Sequence, residues 1–338
     1  MTEIVTAKTL AEYEQFVMAQ PEGSYLQSMQ WARQNPEKRW KAIVCRNRYG
    51  RITGSIALLI TQSRLPGIRT LEAVRGPVCP TWDEQTLGEL LDAVKKLAKR
   101  ERACFVRIDP AFPDGSGAFR KLAKSRRFRE RKLHGEPIRE TGWVIDLSQK
   151  TLERTVQDLE RTCAHELQIA AKRGVRIVSG GRELTEDFSM LNQQIAFRSG
   201  RIAESAEYFE GLLGNFHGES AIVLAYLENR PVSGALVIGR GKRCVVAFEA
   251  DEGDRTLRAR YPLRIEIVRQ AMLGGCTVLE FPGAMTEGFR EGGPFGGNEV
   301  VYAARTELVL NGFRKVLAGA DAFVRRSIDE RMYFLRER

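Results

Sequence analysis

The sequence predicts a mixed α/β (α+β) chain built twice: two tandem domains, each a mixed sheet with helices on both faces. Three observations predict it. AIVCRNRYGRITGSIALLI from Ala42 and AIVLAYLENRPVSGALVIG from Ala221 are the same device, a strand, a polar turn and a strand opening on a Ser/Gly pair. Each hairpin is followed by a helix of apolar residues at three- and four-residue spacing, then by a short apolar strand. The 338 residues suffice for two cores, and no low-complexity segment separates the halves.

Taken in order, LAEYEQFVMA reads as a helix ahead of the first hairpin, whose strands are bounded by Arg, Asn and Gly turn residues. LGELLDAVKKLAKRERA is the helix after it and CFVRIDP the following strand. GWVIDLS reads as a strand, and TLERTVQDLERTCAHELQIAAKRG as one long helix. LTEDFSMLNQQIAFRSG and AEYFEGLLGNF are helices before the second hairpin; LRIEIVRQAMLGG and CTVLEFPG are the helix and strand after it. FRKVLAGADAFVRRSIDERMYFL is an amphipathic helix expected to pack back on the first domain. The expected boundaries are 1–146 with 314–338, and 147–313. This order is that of the acetyltransferase (GNAT, acyl-CoA N-acyltransferase) superfamily, duplicated.

Composition narrows the function. Hydrophobic content of 43% with 28% charged residues is that of a soluble globular protein. The opening MTEIVTAKTLAEYEQF has early acids and no apolar core, so it is not a signal peptide, and a cytoplasmic location is expected. The six cysteines are scattered, several within apolar runs, which reads as reduced buried thiols. The three histidines, His134, His165 and His217, lie far apart without ligand spacing, which speaks against metal catalysis. The formal charge is +10, unevenly placed: RKLAKSRRFRERK at 120–132 has eight basic residues and one acid, and the preceding helix ends KKLAKRER. Such a patch suits a phosphate backbone, and equally a solvated helix face.

Acetyl-CoA itself is not indicated. A single acetyltransferase domain cradles pyrophosphate on an R/Q-x-x-G-x-G/A loop at a helix N-terminus. RLPGIRTLEAVRGPVCP and EGDRTLRARYPL, which precede the two post-hairpin helices, lack that spacing.

Several segments together resemble the Fem family of non-ribosomal peptidyl transferases. YLQSMQWARQNPEKRW is similar to its Q-S-x-x-W-x-x-x-K…W opening, and RGPV and FVRIDP to its (K/R)-G-P and R-x-D-P segments. WVIDLS with LERTCAHELQIAAKRGVRIV resembles its inter-domain strand and basic helix. AFRSGRIAESAEYF resembles a domain-two helix pair with Arg198, Gly200 and Tyr208 in register. LEFPGAMTEGFREGGPFGGNEVVYAARTEL resembles the D-x-x-G…F-K-x-x-F-G stretch and closing strand. The likeness spans nearly the whole chain and fits the compact form of the family, which has no coiled-coil arm.

The resemblance implies an aminoacyltransferase: an amine of a peptidoglycan precursor, nucleotide- or lipid-linked, attacks the ester of an aminoacyl-tRNA, which is the donor substrate in place of any cofactor. A lipid-linked acceptor would bring peripheral membrane association. The chemistry asks for a base near the amine, a cation or aligned N–H groups at the oxyanion, and basic or stacking groups for the tRNA end. By position, Asp109 is implied to bind or deprotonate the amine; an Asp-Pro that merely starts a turn is the plain alternative. Arg290 stands where the family has lysine and would steady charge on the oxyanion or tRNA end, with Phe289 beside it; a solvated loop arginine is the alternative. Arg126 and Arg127 are the candidate tRNA contacts of the basic patch. Lys38, Arg198, Tyr208, Phe248 and Tyr261 are the candidate acceptor-binding residues, with Glu249 and Arg260 nearby. GGPFGG would let backbone approach a phosphate or simply make turns.

Three positions depart from the nucleotide-precursor members: Asn35 replaces a lysine, with Lys38 shifted by a short insertion; Glu204 replaces an arginine; and Phe248 replaces a tyrosine. A glutamate beside a pyrophosphate is repulsive. The acceptor is therefore held differently, is lipid-linked, or is another amine altogether, such as a protein N-terminus or a small molecule. Acyl-CoA-dependent transfer to an amine and RNA binding without catalysis are the remaining alternatives.

Overall fold

The computed structural model describes residues 1–65, 67–113, 115, 117–131, 141–198, 202–282 and 295–322. It divides into two units, Met1–Thr141 with the chain from Val301 onward, and Gly142–Val300.

The first unit runs β1 (Thr2–Ile4), α1 (Leu10–Ala19), α2 (Met29–Arg33), β2 (Arg39–Arg46), β3 (Ile52–Gln62), β4 (Arg69–Val74), α3 (Glu84–Arg100), β5 (Ala103–Asp109), α4 (Ala118–Ser125) and β6 (Arg129–Glu130). β2 and β3 are the expected hairpin, with Ala42 opposite Ala57. The amphipathic α3 lays Leu87, Leu90, Leu91, Val94 and Leu97 on one face of the sheet against Ile43, Ile56, Leu58 and Val106. Its N-terminus is capped by Asp83, whose carboxylate accepts from the backbone N–H groups of Gln85 and Thr86. Gly54 lets α3 approach β3, since a Cβ there would sit 2.7 Å from Thr86 Cγ2. α1 covers the other face, burying Tyr13 and Val17 on Ala42, Val44 and Ala57.

The second unit runs β7 (Thr141–Asp146), α5 (Leu152–Thr162), α6 (Ala164–Lys172), β8 (Val175–Gly180), α7 (Thr185–Arg198), α8 (Ala206–Asn215), β9 (Ser220–Leu227), β10 (Arg230–Arg240), β11 (Arg243–Asp251), α9 (Arg260–Leu273), β12 (Val278–Pro282) and β13 (Asn298–Val301). β9 and β10 form the second hairpin, and α9 packs Leu263, Ile267, Val268 and Ala271 into the core. The long helix expected over 151–174 is instead two. It breaks at Cys163, where ψ is 12° and the backbone N–H bonds to the carbonyls of both Leu159 and Arg161, tightening the turn. Cys163 itself is buried in the core beside Val156 and Leu159.

Among the described residues each unit holds a seven-stranded mixed sheet, ordered β1-β2-β3-β4-β5-β14-β6, where β14 is Thr306–Val309, and β13-β7-β12-β11-β10-β9-β8. β14 (Thr306–Val309) pairs antiparallel with β5, Thr306 opposite Ile108. β7 pairs antiparallel with β12, Phe281 opposite Trp143. The boundaries expected from sequence put β7 in the first domain and β14 in the second; in the sheets, each completes the other half. The chain is helical again over 312–322, where Leu317 and Ala318 pack on Ile68, Cys104 and Phe105 of the first unit. All six cysteines are buried free thiols. Among the described residues no helix is long and apolar enough to cross a membrane.

Candidate active site

In the first unit a row of charged side chains crosses one sheet face. Register places Glu72 opposite Arg107 and Arg107 opposite Glu307. Arg107 donates to Glu72 at 2.7 Å and approaches Glu307 at 3.4 Å. Glu307 is almost fully buried and is also met by Lys315 and by Arg131. Two residues further along β5, Asp109 accepts from Arg305 Nε, and both side chains are largely buried. Beside them Arg75 stacks over the ring of Tyr302, 4.0 Å from its centroid. Asp109 is thus no bare turn aspartate: it is a carboxylate oriented by a cation from the residue just before Thr306.

Next to this row, Trp40, Leu59 and Glu72 are neighbours across three strands. With Leu26, Trp31 and Val74 they line a narrow slot, and the indole N–H groups of both tryptophans are buried without an acceptor. Lys38 does not line the slot; it donates to Asn35 at 3.0 Å and reaches Glu37 at 3.7 Å. Arg126 and Arg127 follow α4. Arg126 pairs with Asp92 at 3.3 Å, and its carbonyl accepts from Lys95, while Arg127 is exposed with φ of 69°.

In the second unit the parallel pairing of β11 with β12 covers only Arg243–Val245 against Val278–Glu280. A bulge between β10 and β11 falls next, at Leu236/Val237. Beyond it β11 has no ladder partner on that side among the described residues. In the first unit the equivalent β4–β5 pair has one register shift, at Arg69/Thr70, and then continues in register from Thr70 to Val74 opposite Phe105 to Asp109. The notch in the second sheet holds Phe248, Glu249 and Asp251. Glu249 is 10% exposed and lies 3.8 Å from the buried Arg264, and its Oε1 has no hydrogen-bond partner. Burial pushes the Glu249 carboxyl up and lowers Arg264, each opposed by the other's charge. Arg264 also faces the rings of Phe281 and Phe295. Arg260 donates to Asp251 at 2.8 Å, which accepts from Ser233 as well.

Tyr208 and Phe248 meet, ring centroids 5.9 Å apart, within a cluster that includes Phe209. Burial, helped by the charge of Glu204, pushes the Tyr208 phenol up to about 12; loss of hydration also raises Glu204. Arg198, at the end of α7, is exposed and reaches the Glu252 carbonyl at 3.5 Å. Tyr261 opens α9 with its ring 6.2 Å from Phe295. Gly297 is a packing residue, with φ of 88° and no room for a Cβ against the Val144 carbonyl at 2.5 Å. The Trp143 indole donates to Gly296 beside it. A cavity of about 370 Å³ lies here, lined by Ile145, Lys150, Asp158, Leu159 and Gly297. Phe289 and Arg290 lie outside the described residues.

Sequence reasoning missed Arg305, Glu72, Arg107, Glu307 and Arg264. The available signal was a charge on an otherwise apolar strand or helix face, as in RTLEAV and LRIEIV.

A model of the FemAB family matches residues 8–115 and 138–283. The chain is 28% identical over 233 residues to the lipid II:glycine glycyltransferase of Staphylococcus haemolyticus, covering 66% of this chain and 55% of that one. It is 27% identical over 229 residues to the protein of the same name from Staphylococcus aureus strain MRSA252, covering 65% and 54%. The match thus spans little more than half of these relatives. Among solved structures, FemX superposes with a TM-score of 0.75 at 18% identity, over 94% of this chain and 100% of that one. A tandem GNAT protein from the clavulanic acid biosynthesis pathway superposes at 0.53 and 12% identity, over 91% and 98%. These two likenesses establish a fold of two tandem GNAT-like halves.

Proposed function

This chain belongs to the FemAB family, and on that premise we propose that it is an aminoacyltransferase, moving an amino acid from an aminoacyl-tRNA ester onto the side-chain amine of a peptidoglycan precursor. The observation that carries this reading is the family match in both units, among relatives named lipid II:glycine glycyltransferases.

In this reading the acceptor ammonium docks on Asp109, whose carboxylate Arg305 orients. The amine loses its proton and adds to the ester carbonyl. The C–N bond forms, the C–O bond to the ribose breaks, and the departing ribose oxygen takes the proton. Arg290 would steady the oxyanion, a role for a cation that cannot itself supply the proton, and Phe289 would stack on the tRNA end. Arg126 and Arg127 would add phosphate contacts, Arg127 being the more available. Lys38, Arg198, Tyr208, Phe248 and Tyr261 would contact the acceptor.

A tRNA ester rather than a CoA thioester is favoured by the helix ends. At α3 the N-terminal N–H groups are already taken by Asp83, and α9 opens Arg260-Tyr261-Pro262, where Pro262 has no N–H to offer a phosphate. The donor is a substrate, so the reaction needs no cofactor, and its place is the cytoplasm.

A second reading, transfer onto another amine, is favoured by Glu204, which stands beside Tyr208 where a pyrophosphate would be repelled. One experiment separates the two: labelled aminoacyl-tRNAs with lipid II, a nucleotide-linked precursor, and peptide amines, with products identified by mass. An RNase-sensitive amide on a peptidoglycan precursor is expected. Acyl transfer from a CoA thioester alone overturns the proposal.

A further inference from the structure

One end of the first sheet collects features that the proposed chemistry does not use. β4 and β5 are parallel and β3 and β14 run against them, so the turn 63–68, the turn at Glu101–Arg102, and the start of the helix over 312–322 all lie at this end. Hydrogen bonds join them: Leu310 and Asn311 donate to the Cys104 carbonyl, and Arg314 to that of Gly67. Asp321 accepts from Ser63 and the Arg64 N–H.

Four large apolar side chains stand in solvent here: Leu65 (41% exposed), Val309 (44%), Phe313 (74%) and Val316 (70%). Phe313 and Val316 are three apart and share a helix flank turned away from the packed Ala318. Exposed Arg64, Arg100, Arg102 and Arg314 surround them. Of the acids at this end, Glu101 is buried and held by Arg39, Lys41 and Arg69, and the half-buried Asp321 is engaged by Ser63 and the Arg64 N–H. Exposed apolar groups ringed by unneutralised cations match the boundary of an anionic bilayer. A phosphate backbone alone would leave Phe313 and Val316 unused.

We propose that this end of the first unit is a membrane-docking surface for anionic lipid. The inference rests on the proposed function and deepens it by favouring a lipid-linked acceptor. β5 leads from this surface at Ala103 to Asp109, a rise of roughly 20 Å for its seven residues. A precursor anchored in the bilayer would then present its amine to Asp109 at the far end of the strand.

The test is cosedimentation of the full chain with phosphatidylcholine vesicles with and without 30% phosphatidylglycerol (about this fraction sets a physiological surface charge). Binding is expected to anionic vesicles and to weaken with salt. F313S/V316S, whose side chains are exposed and whose fold is checked by thermal unfolding, should lose at least about tenfold in partition. R64Q, R102Q and R314Q should each lose roughly fivefold on anionic vesicles only. Failure of the natural protein to bind, or unchanged binding by F313S/V316S, overturns the surface. So does loss of RNA retention rather than vesicle retention in the arginine variants. Transfer onto a lipid-free precursor, assayed alongside, keeps the two claims apart. Transfer without vesicle binding sinks only the surface; vesicle binding without transfer onto any precursor sinks only the enzymatic reading.

Discussion

Gln27 fills the space that any side chain on residue 76 would need. Its amide spans β3 and β4, accepting from the Ala57 N–H at 2.8 Å and donating to the Val74 carbonyl at 2.6 Å, where the ladder between the strands has ended at Leu59 and Glu72. A Cβ on Gly76 would lie 2.6 Å from Gln27 Oε1. Gly76→Ala should therefore destabilise by about 1–3 kcal/mol through overpacking. Gln27→Leu should lose about 2 kcal/mol by leaving buried backbone groups unpaired. Urea unfolding of both variants and of their combination checks this; a double variant as costly as the sum of the singles would refute the shared contact.

Asp109 and Arg305 form the same kind of dependence in charge. Removing either breaks an ion pair whose two side chains are largely buried, so Asp109→Asn and Arg305→Gln should each cost about 3 kcal/mol. The double variant should regain part of that loss. If Asp109 also meets the acceptor amine, Asp109→Asn lowers turnover at least about a hundredfold. Arg305→Lys, which keeps the charge, should retain more activity than Arg305→Gln.

Glu249 sets a pH dependence of known sign. Its folded-state carboxyl is raised by burial, so its contribution favours folding most below the ordinary carboxylate range and is lost as pH rises through the raised value. Chemical unfolding from pH 4 to 8 should show Glu249→Gln gaining stability relative to the natural protein as pH rises. A constant difference between the two curves would show that Glu249 keeps its ordinary ionisation.

Tyr208, held at about 12 by burial and by Glu204, should titrate earlier in Glu204→Gln, which ultraviolet difference titration can follow. Tyr208→Phe keeps the ring edge on Phe248 and should leave stability within about 0.5 kcal/mol. If the hydroxyl meets the acceptor, KM for it rises about tenfold with kcat little changed.

What could be read in advance was local. The hairpins at Ala42 and Ala221 announced themselves through alternation and turn residues, and their helices through spacing, because both signals sit within twenty residues. Cys163 was unreadable as a break, since its apolar neighbours continue the helical stripe. Asp109 stood out by its setting before a proline, but its partner Arg305 is 196 residues away, and no local pattern joins them. Arg264 hid among the apolar residues of α9, and Gln27 looked like any polar loop residue until Gly76 was placed against it. Pairing between distant segments decided the site, and periodicity carries no information about such pairing.

The position of β14 has a bearing on birth as well as on catalysis. Every strand of the second sheet is drawn from residues 141–301, whereas the first sheet has a gap between β5 and β6 that residues 306–309 must fill. A ribosome working from the N-terminus therefore releases the strands of the later half as a complete set while the earlier half is still open along β5. The first half made is the last to close, and until it does the unpaired edge of β5 is exposed to any other extended chain.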